Sequence, residues 1–234
     1  MSATAAVGRS RIGGTGARLT RGVGDKLGRV TGQRPTYAEA SKALLKNSLL
    51  DALHDLLNDR DWSAITMTHV AATAGVSRQT VYNEFGSRYG LAQAYALRIA
   101  GAFAAHVGVA IEANVNDIHA ALHAGFNDFF TLSAQDPMIR SLLAGDANSD
   151  LLKLLTTDAA PLITAASDIL AASFRSSWLG LSDSDAMRIA RAITRMALSY
   201  VAMPPEGDRD VADDLAKVMG PAITAVHQGD SVVD

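Results

Sequence analysis

The sequence contains no cysteine, which excludes disulfide bonds, thiolate catalysis and every zinc or iron–sulfur site that needs a cysteine ligand. It also lacks the Gly-x-Ser-x-Gly turn of serine hydrolases, a phosphate-binding Gly-Lys-Ser/Thr loop and a paired-carboxylate motif. Gly14-Thr-Gly16 fails the dinucleotide-binding pattern because Leu19 occupies the position of the last glycine. We therefore expect no enzyme, no catalytic residue and no cofactor.

Long hydrophobic runs are missing as well. The most apolar stretch, residues 94–113, is interrupted by Arg98 and His106, and no window reaches the uninterrupted length of about 18 residues expected of a membrane span. The first eleven residues carry charge but no apolar segment of the kind found in secretory signals. We expect a cytoplasmic protein that does not insert into a membrane.

Charge is distributed unevenly along the 234 residues, although the formal net charge is only −3. Residues 1–35 hold seven basic residues, one acidic residue and eight of the 19 glycines, with no helical or strand period. Residues 101–234 hold eight basic and 17 acidic residues. We predict a flexible basic tail over 1–35, which either contacts phosphates without sequence preference or has no binding role.

After Pro35, apolar residues recur three and four positions apart and strand-like alternation is almost absent, so the predicted fold is all-α. We expect a DNA-binding domain over residues 36–86 and a ligand-binding and dimerisation domain over 87–234. The predicted helices cover about residues 39–58, 66–74, 78–84, 87 to between 106 and 111, 117–134, 137–144, 150–157, 161–179, 183–202 and 209–227, the last with a kink at Pro221.

The segment from Trp62 to Tyr95 has the pattern of a helix-turn-helix. Thr66 and Ser77 are placed to cap its two short helices, and Gly75 lies where the chain needs a positive φ. The interior is predicted to be apolar, formed by Val70, Ala71, Val76, Val81 and Phe85. The second helix exposes hydrogen-bonding side chains that suit base edges and phosphates, namely Arg78, Gln79, Thr80, Tyr82 and Asn83. An ordinary helical hairpin would not need this row.

Residues 39–95 resemble the DNA-binding domain of the TetR family of bacterial transcriptional regulators. The match rests on Thr66, Val70-Ala71, Ala74 to Ser77, Thr80, Tyr82, Phe85, Arg88 and Leu91. The resemblance implies a homodimeric, ligand-released repressor of a near-palindromic operator in double-stranded DNA. It also implies that the last two helices pair with those of a second copy in a four-helix bundle, helped here by a stripe of Ala192, Ile193, Met196, Ala197 and Tyr200.

The resemblance also assigns roles to individual residues. Ser77, Thr80 and Tyr82 would contact phosphates, whereas Arg78, Gln79 and Asn83 would lie nearest the bases. Thr66 and Arg88 complete the predicted DNA-binding set, since Arg88 keeps the charge of the lysine that is usual there. Glu84 stands where His or Tyr is frequent, so no phosphate contact is expected there. The string from Val76 to Arg88 is similar to actinobacterial members linked to alkane, fatty-acid and envelope-lipid genes.

Large side chains separated by alanines in the second region are candidates for an apolar cavity. They are Phe103, His106, Leu122, Phe126, Phe129, Phe130, Met138, Leu142, Phe174, Trp178, Met196 and Tyr200. Any single one is more often plain core, but the set favours a hydrophobic, fatty-acid-like effector. His119 and His123 lie four residues apart with Asp128 nearby, but no third ligand is evident and we assign no metal. The alternative function is a helical lipid-binding protein without DNA binding.

Overall fold

The fold is all-α, as predicted. The computed structural model describes residues 36–144, 149–204, 207 and 209–230, and these contain ten α-helices and no strand. The helices are α1 (Tyr37–Asp59), α2 (Met67–Thr73), α3 (Arg78–Phe85), α4 (Arg88–Ala113), α5 (Ile118–Gln135), α6 (Pro137–Leu143), α7 (Ser149–Leu155), α8 (Ala160–Ser176), α9 (Asp183–Ala202) and α10 (Val211–Asp230). A 3₁₀ turn, Trp62–Ala64, follows α1 and is called the Trp62 turn below. The predicted basic tail over 1–35 lies outside the described residues.

Side-chain caps explain where most helices begin. Thr66, Ser77 and Ser87 accept hydrogen bonds from the backbone N–H groups of His69, Thr80 and Gly90, so the three predicted caps are confirmed. Several predicted boundaries were wrong by two residues or more, among them the start of the last helix and the end of α8. The last helix begins at Val211 because Asp210 caps it by accepting from the Asp213 N–H at 2.9 Å. Helix α8 ends at Ser176 rather than Leu179, and Gly180 with φ +55° turns the chain.

Helix α4 is the centre of the second region. It packs mainly against α5 and α8, while α9 lies on α8 and α10 lies on α5. By length and apolar composition alone, α4 is the helix within the described residues that could cross a membrane. Its contacts with α5 and α8 account for the same composition, because a helix packed on several sides needs apolar residues on several faces.

The hydrophobic core does not divide at residue 86. Leucines of α1 pack in one cluster with Val81 of α3, with Leu91 and Tyr95 of α4, and with Met138 of α6. The described residues from Tyr37 onward accordingly form a single unit by backbone contacts. A second cluster joins α4, α5, α8, α9 and α10. The head formed by α1, α2 and α3 is therefore packed directly onto the first turns of α4 and onto α6.

The predicted dimer stripe on α9 is exposed only at Ala192. Ile193 is 3% exposed, Ile193 and Ala197 line an apolar cavity, and Met196 and Tyr200 are half-buried. The exposed face of α9 otherwise carries Arg188, Arg191, Arg195 and Ser199. Most of the stripe faces inward because α9 has a single strongly apolar face, which its own chain already covers with α8.

Candidate DNA-binding surface and apolar cavity

The turn between α2 and α3 is built from local backbone chemistry. Helix α2 ends at Thr73 with Ala74 as its C-cap, and Gly75 takes φ +69°, a left-handed conformation that costs glycine little. The Val76 N–H then bonds to the Ala71 carbonyl at 3.0 Å. Val70 and Val81 are fully buried on either side of the turn, which fixes the angle between the two helices. The helix-turn-helix predicted from the sequence is present.

The polar row on α3 is held together by hydrogen bonds along the helix. Arg78 Nη2 donates to the Tyr82 hydroxyl at 3.2 Å, and the guanidinium lies 5.1 Å from the Tyr82 ring centre. Gln79 Nε2 donates to Asn83 Oδ1 at 2.7 Å. Such pairs four residues apart restrict the rotamers of exposed side chains. Five of the predicted contact residues therefore form one surface on α3, with the Tyr82 ring also packed partly against the head core.

Helix α1 borders the same surface. Ser41, Lys42 and Leu45 surround a shallow groove together with Thr80, Asn83 and Glu84 of α3. Most side chains over residues 36–48 are exposed, including Tyr37 at 90% and Leu44 at 70%. The first half of α1 thus extends along the edge of the polar row instead of packing into the core.

The Arg88 side chain, predicted to contact a phosphate, bonds to backbone carbonyl groups of the head. Its Nε donates to the Ile65 carbonyl at 2.9 Å, and Nη2 donates to the Trp62 carbonyl. The guanidinium lies over the Trp62 ring, 4.1 Å from the ring centre. The structure therefore does not place Arg88 in the α3 row. It places the side chain under the Trp62 turn, where the Trp62 carbonyl already accepts from the Ile65 N–H and takes the charged donor as a second hydrogen bond. Thr66 is likewise engaged as the cap of α2.

An apolar cavity of about 110 Å³ lies among α4, α5, α6, α7, α8 and α9. Of the twelve predicted residues, six line it: Phe103, Leu122, Phe126, Phe129, Met138 and Leu142. Phe103 and Phe129 meet edge to face with ring centres 5.3 Å apart. The wall is completed by aliphatic and small residues that include Ile99, Val107, Ile139, Leu151, Leu155, Ala166 and Ala197.

The cavity wall is almost free of polar groups. Among the described residues, Thr194 is the one lining residue with a polar side chain, and its hydroxyl accepts a hydrogen bond from Ser167 at 3.3 Å. No charged side chain of the described residues lines it. A wall of this kind favours hydrocarbon and offers no partner to a buried charge, which would be costly to desolvate.

The other six predicted pocket residues lie elsewhere. His106 is exposed, and its Nδ1 lies 2.8 Å from the Ala102 carbonyl one turn earlier. Trp178 donates from Nε1 to the Ile111 carbonyl at 2.7 Å, at the far end of α4. The remaining four, Phe130, Phe174, Met196 and Tyr200, belong to or pack against the second core cluster. The structure does not bring these six residues to the cavity, because residue size does not reveal which face of a helix points to a cavity and which to a packed neighbour.

Sequence reasoning also missed part of the wall. Leu151, Leu154 and Leu155 of α7 and Leu162 of α8 line the cavity, although no large aromatic marks them. The leucine spacing of α7 could have predicted this part of the wall. It gives the short helix an apolar face, which has to pack against other helices.

His119 and His123 each contact a carboxylate across helices. Each Nε2 lies 3.1 Å from a carboxylate, that of Asp213 for His119 and that of Asp210 for His123. The two rings are parallel with centres 6.5 Å apart, so each histidine meets a different aspartate. Within the described residues, no group of three or more such side chains has the arrangement of a metal site. These contacts tie α5 to the start of α10.

Models of known protein families match both the DNA-binding head and the region that follows it. The model described as bacterial regulatory proteins of the tetR family matches residues 49–95, and the model of the bacterial tetracyclin repressor C-terminal domain matches residues 117–221. The HTH-type transcriptional regulator AlkX of Mycobacterium tuberculosis (strain ATCC 25618 / H37Rv) is 56% identical over 189 residues, covering 81% of this chain and 90% of that protein. This chain belongs to the TetR family. It is accordingly a DNA-binding transcriptional regulator, and its relatives are regulators rather than enzymes.

Two further regulators are similar to this TetR-family chain. The crystal structure of the TetR family repressor AlkX from Dietzia sp. strain DQ12-45-1b, implicated in biodegradation of n-alkanes, aligns with TM-score 0.73 and 41% identity over 78% of this chain and 96% of that one. An uncharacterized HTH-type transcriptional regulator of Mycobacterium tuberculosis is 29% identical over 188 residues, covering 77% of this chain and 86% of that protein. Membership of the family favours DNA binding over the alternative of a lipid-binding protein that has no DNA partner.

Proposed function

We propose that this chain is a homodimeric repressor, active in the bacterial cytoplasm, that leaves its operator when a long apolar molecule enters the cavity. The observation that carries the proposal is the combination, in one unit, of a polar α3 surface and a cavity without charged lining residues among those described. The relatives named AlkX, one of them implicated in n-alkane biodegradation, support hydrocarbon-related chemistry for the effector.

The DNA contacts follow from the geometry of α3. Arg78, Gln79 and Asn83 would reach base edges in the major groove, while Ser77, Thr80 and Tyr82 would contact phosphates. One head offers few base contacts, so two heads must be held about 34 Å apart to match successive major grooves. A dimer with a near-palindromic operator provides that arrangement.

The dimer contact would use the outer faces of α9 and α10. On α10, Val218 is 74% exposed and shares one face with Pro221, Ala222 and Ala225, which are exposed as well. Small and β-branched side chains allow helices of two copies to approach closely. The arginines of α9 would lie at the rim of such an interface, where charges remain solvated.

The effector is expected to be recognised through its hydrocarbon chain. A cavity of about 150 Å³ is known to hold benzene, so the 110 Å³ of this cavity is too small for a chain of 12 to 18 carbons unless the wall moves. A charged head group would have to stay at the cavity mouth, because no charged side chain of the described residues faces the interior. Expansion of the wall is the event that we connect to DNA release.

The basic tail would add phosphate contacts that do not depend on sequence. It leads directly into α1, whose first half borders the polar row on α3. Removal of residues 2–35 should then reduce the slope of log affinity against log salt by about 0.9 for each phosphate that the tail neutralises. An unchanged slope would mean that the tail has no part in DNA binding.

The test starts from operator fragments selected out of genomic DNA with the purified protein. Fluorescence anisotropy then follows release of the best fragment by n-hexadecane, 1-hexadecanol, palmitate and palmitoyl-CoA, with octanoate as a short-chain control. We expect release by at least one C16 compound at micromolar concentration and none by octanoate. Failure of every C16 compound to bind would contradict the effector assignment, and failure to select any fragment would contradict DNA binding itself.

A further inference from the structure

The exposed face of α3 carries side chains of two different chemistries. Arg78, Gln79 and Asn83 are exposed, whereas Thr80 and Tyr82 are half-buried. The Arg78 guanidinium can only donate hydrogen bonds, while the amides of Gln79 and Asn83 both donate and accept. Adenine requires a donor and an acceptor together, because its major-groove edge presents the N7 acceptor beside the N6 donor. The two amides can therefore recognise a base that Arg78 cannot.

A hydrogen bond between the two amides fixes their orientation. Gln79 Nε2 donates to Asn83 Oδ1 at 2.7 Å across one helical turn. This bond uses one N–H of Gln79 and leaves its second N–H and its Oε1 carbonyl for DNA. Among the described residues, no group donates to Gln79 Oε1. A glutamine amide without such a bond can turn over and exchange its donor and acceptor, whereas here each of them keeps one place.

The neighbouring polar groups of α3 bond to one another. Arg78 donates to the Tyr82 hydroxyl at 3.2 Å. The Ser77 and Thr80 hydroxyl oxygens lie 2.9 Å apart, and the Thr80 N–H donates to Ser77 Oγ at 3.1 Å. None of these bonds involves either amide. The amide pair is therefore a separate unit on the helix, and substitutions can test it apart from the rest of the polar row.

The positions of the two amides along α3 give them different roles. Gln79 is the second residue of the helix, and Asn83 lies one turn later. A recognition helix in the major groove contacts base edges with its N-terminal residues. Gln79 is therefore the amide placed to reach a base, and Asn83 is the group that orients it. Asn83 keeps both Nδ2 hydrogens for a DNA contact of its own.

We propose that Gln79 recognises an adenine in each half-site of the near-palindromic operator, and that Asn83 is a positioning residue that holds the Gln79 amide. The proposal rests on the proposed function, in which α3 enters the major groove, and names the base that it recognises there. Gln79 Oε1 accepts from adenine N6, and Gln79 Nε2 donates to adenine N7. Guanine is disfavoured because O6 and N7 are both acceptors, so the Gln79 carbonyl would face another acceptor. Cytosine and thymine each offer one polar group and leave one Gln79 atom without a partner.

The experiment removes single atoms from the DNA and the matching side chain from the protein. The best fragment selected from genomic DNA is made with 7-deazaadenine, which lacks the N7 acceptor, at each adenine of one half-site in turn. Purine deoxyriboside, which lacks the N6 amino group, then replaces the adenine that responds. Fluorescence anisotropy at fixed salt measures binding of each duplex by the parent and by Gln79→Ala. Gln135→Ala is the matched control, since Gln135 is an exposed amide of α5 outside the head.

We expect one adenine at which each analogue weakens binding by the parent at least about threefold, the effect of one lost hydrogen bond. At that position, Gln79→Ala should bind the analogues and the unmodified operator equally, because the contact is already gone. Gln135→Ala should behave like the parent. If no adenine responds, or if Gln79→Ala keeps the full loss at every adenine that does, the assignment of adenine to Gln79 is wrong.

Two substitutions of Asn83 test its positioning role. Asn83→Ala removes the acceptor of the Gln79 N–H, whereas Asn83→Asp keeps an acceptor oxygen. The ratio of dissociation constants for the 7-deazaadenine and adenine operators should fall at least about twofold in Asn83→Ala, because the free amide must be ordered on binding. It should stay at the parent value in Asn83→Asp, although the added charge weakens binding to every duplex.

The ratio separates positioning of Gln79 from a general loss of DNA binding. An unchanged ratio in Asn83→Ala would show that Asn83 does not position Gln79. A ratio that is lost in both Asn83 variants and kept in Gln79→Ala would make Asn83 the residue that contacts adenine. Either result would overturn the proposal.

Arg78→Ala separates failure of this inference from failure of the proposed function. It should weaken binding to every duplex and leave the adenine ratio unchanged, because Arg78 bonds to Tyr82 and not to the amide pair. If Arg78→Ala weakens binding but no adenine depends on Gln79, α3 contacts DNA and only the adenine assignment is wrong. If neither Arg78→Ala nor Gln79→Ala changes binding, α3 does not contact DNA, and the proposed function fails as well.

Discussion

The head and the cavity region both have apolar cores, but their functional surfaces are held by different kinds of contact. In the head, directional bonds add to the core: the Ser77 cap, the Arg78–Tyr82 and Gln79–Asn83 pairs, and the Arg88 guanidinium under the Trp62 turn. In the cavity region, nearly all lining groups are hydrocarbon. Directional bonds fix one geometry, whereas hydrocarbon contacts allow several. The difference suits a rigid DNA-reading surface carried by a region that can expand.

If that comparison is right, the largest effect on operator affinity comes from the α3 row. Arg78→Ala should cost about 1 to 3 kcal/mol for each head and reduce discrimination among operator variants. Tyr82→Phe should weaken binding to all sequences similarly. Because Arg78 and Tyr82 are bonded to each other, the double substitution should cost less than the sum of the single ones.

Gel-shift titration at fixed salt measures these changes. Arg175→Ala is the control, since Arg175 is an exposed arginine of α8 that pairs with Asp183 and lies outside both α3 and the proposed dimer faces. Parent-like binding by folded Arg78→Ala and Tyr82→Phe would mean that α3 does not read the DNA.

Arg88→Ala should reduce stability more than it reduces DNA contact. The Trp62 and Ile65 carbonyls lose a charged donor, which costs about 1.5 to 3 kcal/mol in the free energy of unfolding. Denaturant unfolding measures the loss, with Arg60→Ala as a control for removing an exposed arginine of the head. A salt slope of operator binding that falls by about 1, with stability unchanged, would show instead that Arg88 contacts a phosphate.

In the cavity region, the effect of a substitution on palmitate affinity should depend on whether the position lines the cavity, not on the type of residue introduced. Ala197→Leu should lower palmitate affinity about tenfold or more, because the added atoms occupy the cavity, while Ala172→Leu, which adds the same atoms at an exposed position of α8, should leave it unchanged. Displacement of a fluorescent fatty acid gives both affinities. Equal loss in the two variants would place the effector outside the cavity.

The smallest effect is expected for Trp178→Phe. Trp178 is large and aromatic, but it lies outside the cavity and bonds to the Ile111 carbonyl. We expect palmitate affinity to stay within about threefold and the free energy of unfolding to drop by about 1 kcal/mol. A large loss of palmitate affinity would mean that the effector site extends to the end of α4.

Local chemistry explains why the head was predictable residue by residue. A cap, a glycine turn and an i, i+4 row are properties of neighbouring residues, so Thr66, Gly75, Ser77 and the α3 row could be located from the sequence. Arg88 was the exception, since its partners lie on the Trp62 turn, more than 20 residues earlier.

The cavity could be predicted only in part because its wall is a product of packing between distant helices. Phe126 and Phe130 are one turn apart on α5, yet Phe126 lines the cavity and Phe130 packs edge to face on Tyr200 at 5.4 Å. Nothing in the spacing separates them. The helix boundaries, set by caps and periodicity, were predictable; the direction of each apolar face was not.

The central claim is that operator DNA and effector compete through one conformational change, and reciprocal binding tests it most directly. Isothermal titration measures palmitate binding to the free protein and to the protein saturated with its selected operator. Thermodynamic linkage requires the operator to weaken palmitate binding by the same factor by which palmitate weakens operator binding, about 5- to 150-fold. We predict a weakening in that range and equal factors in the two directions. Equal palmitate affinities for free and operator-bound protein would contradict the account.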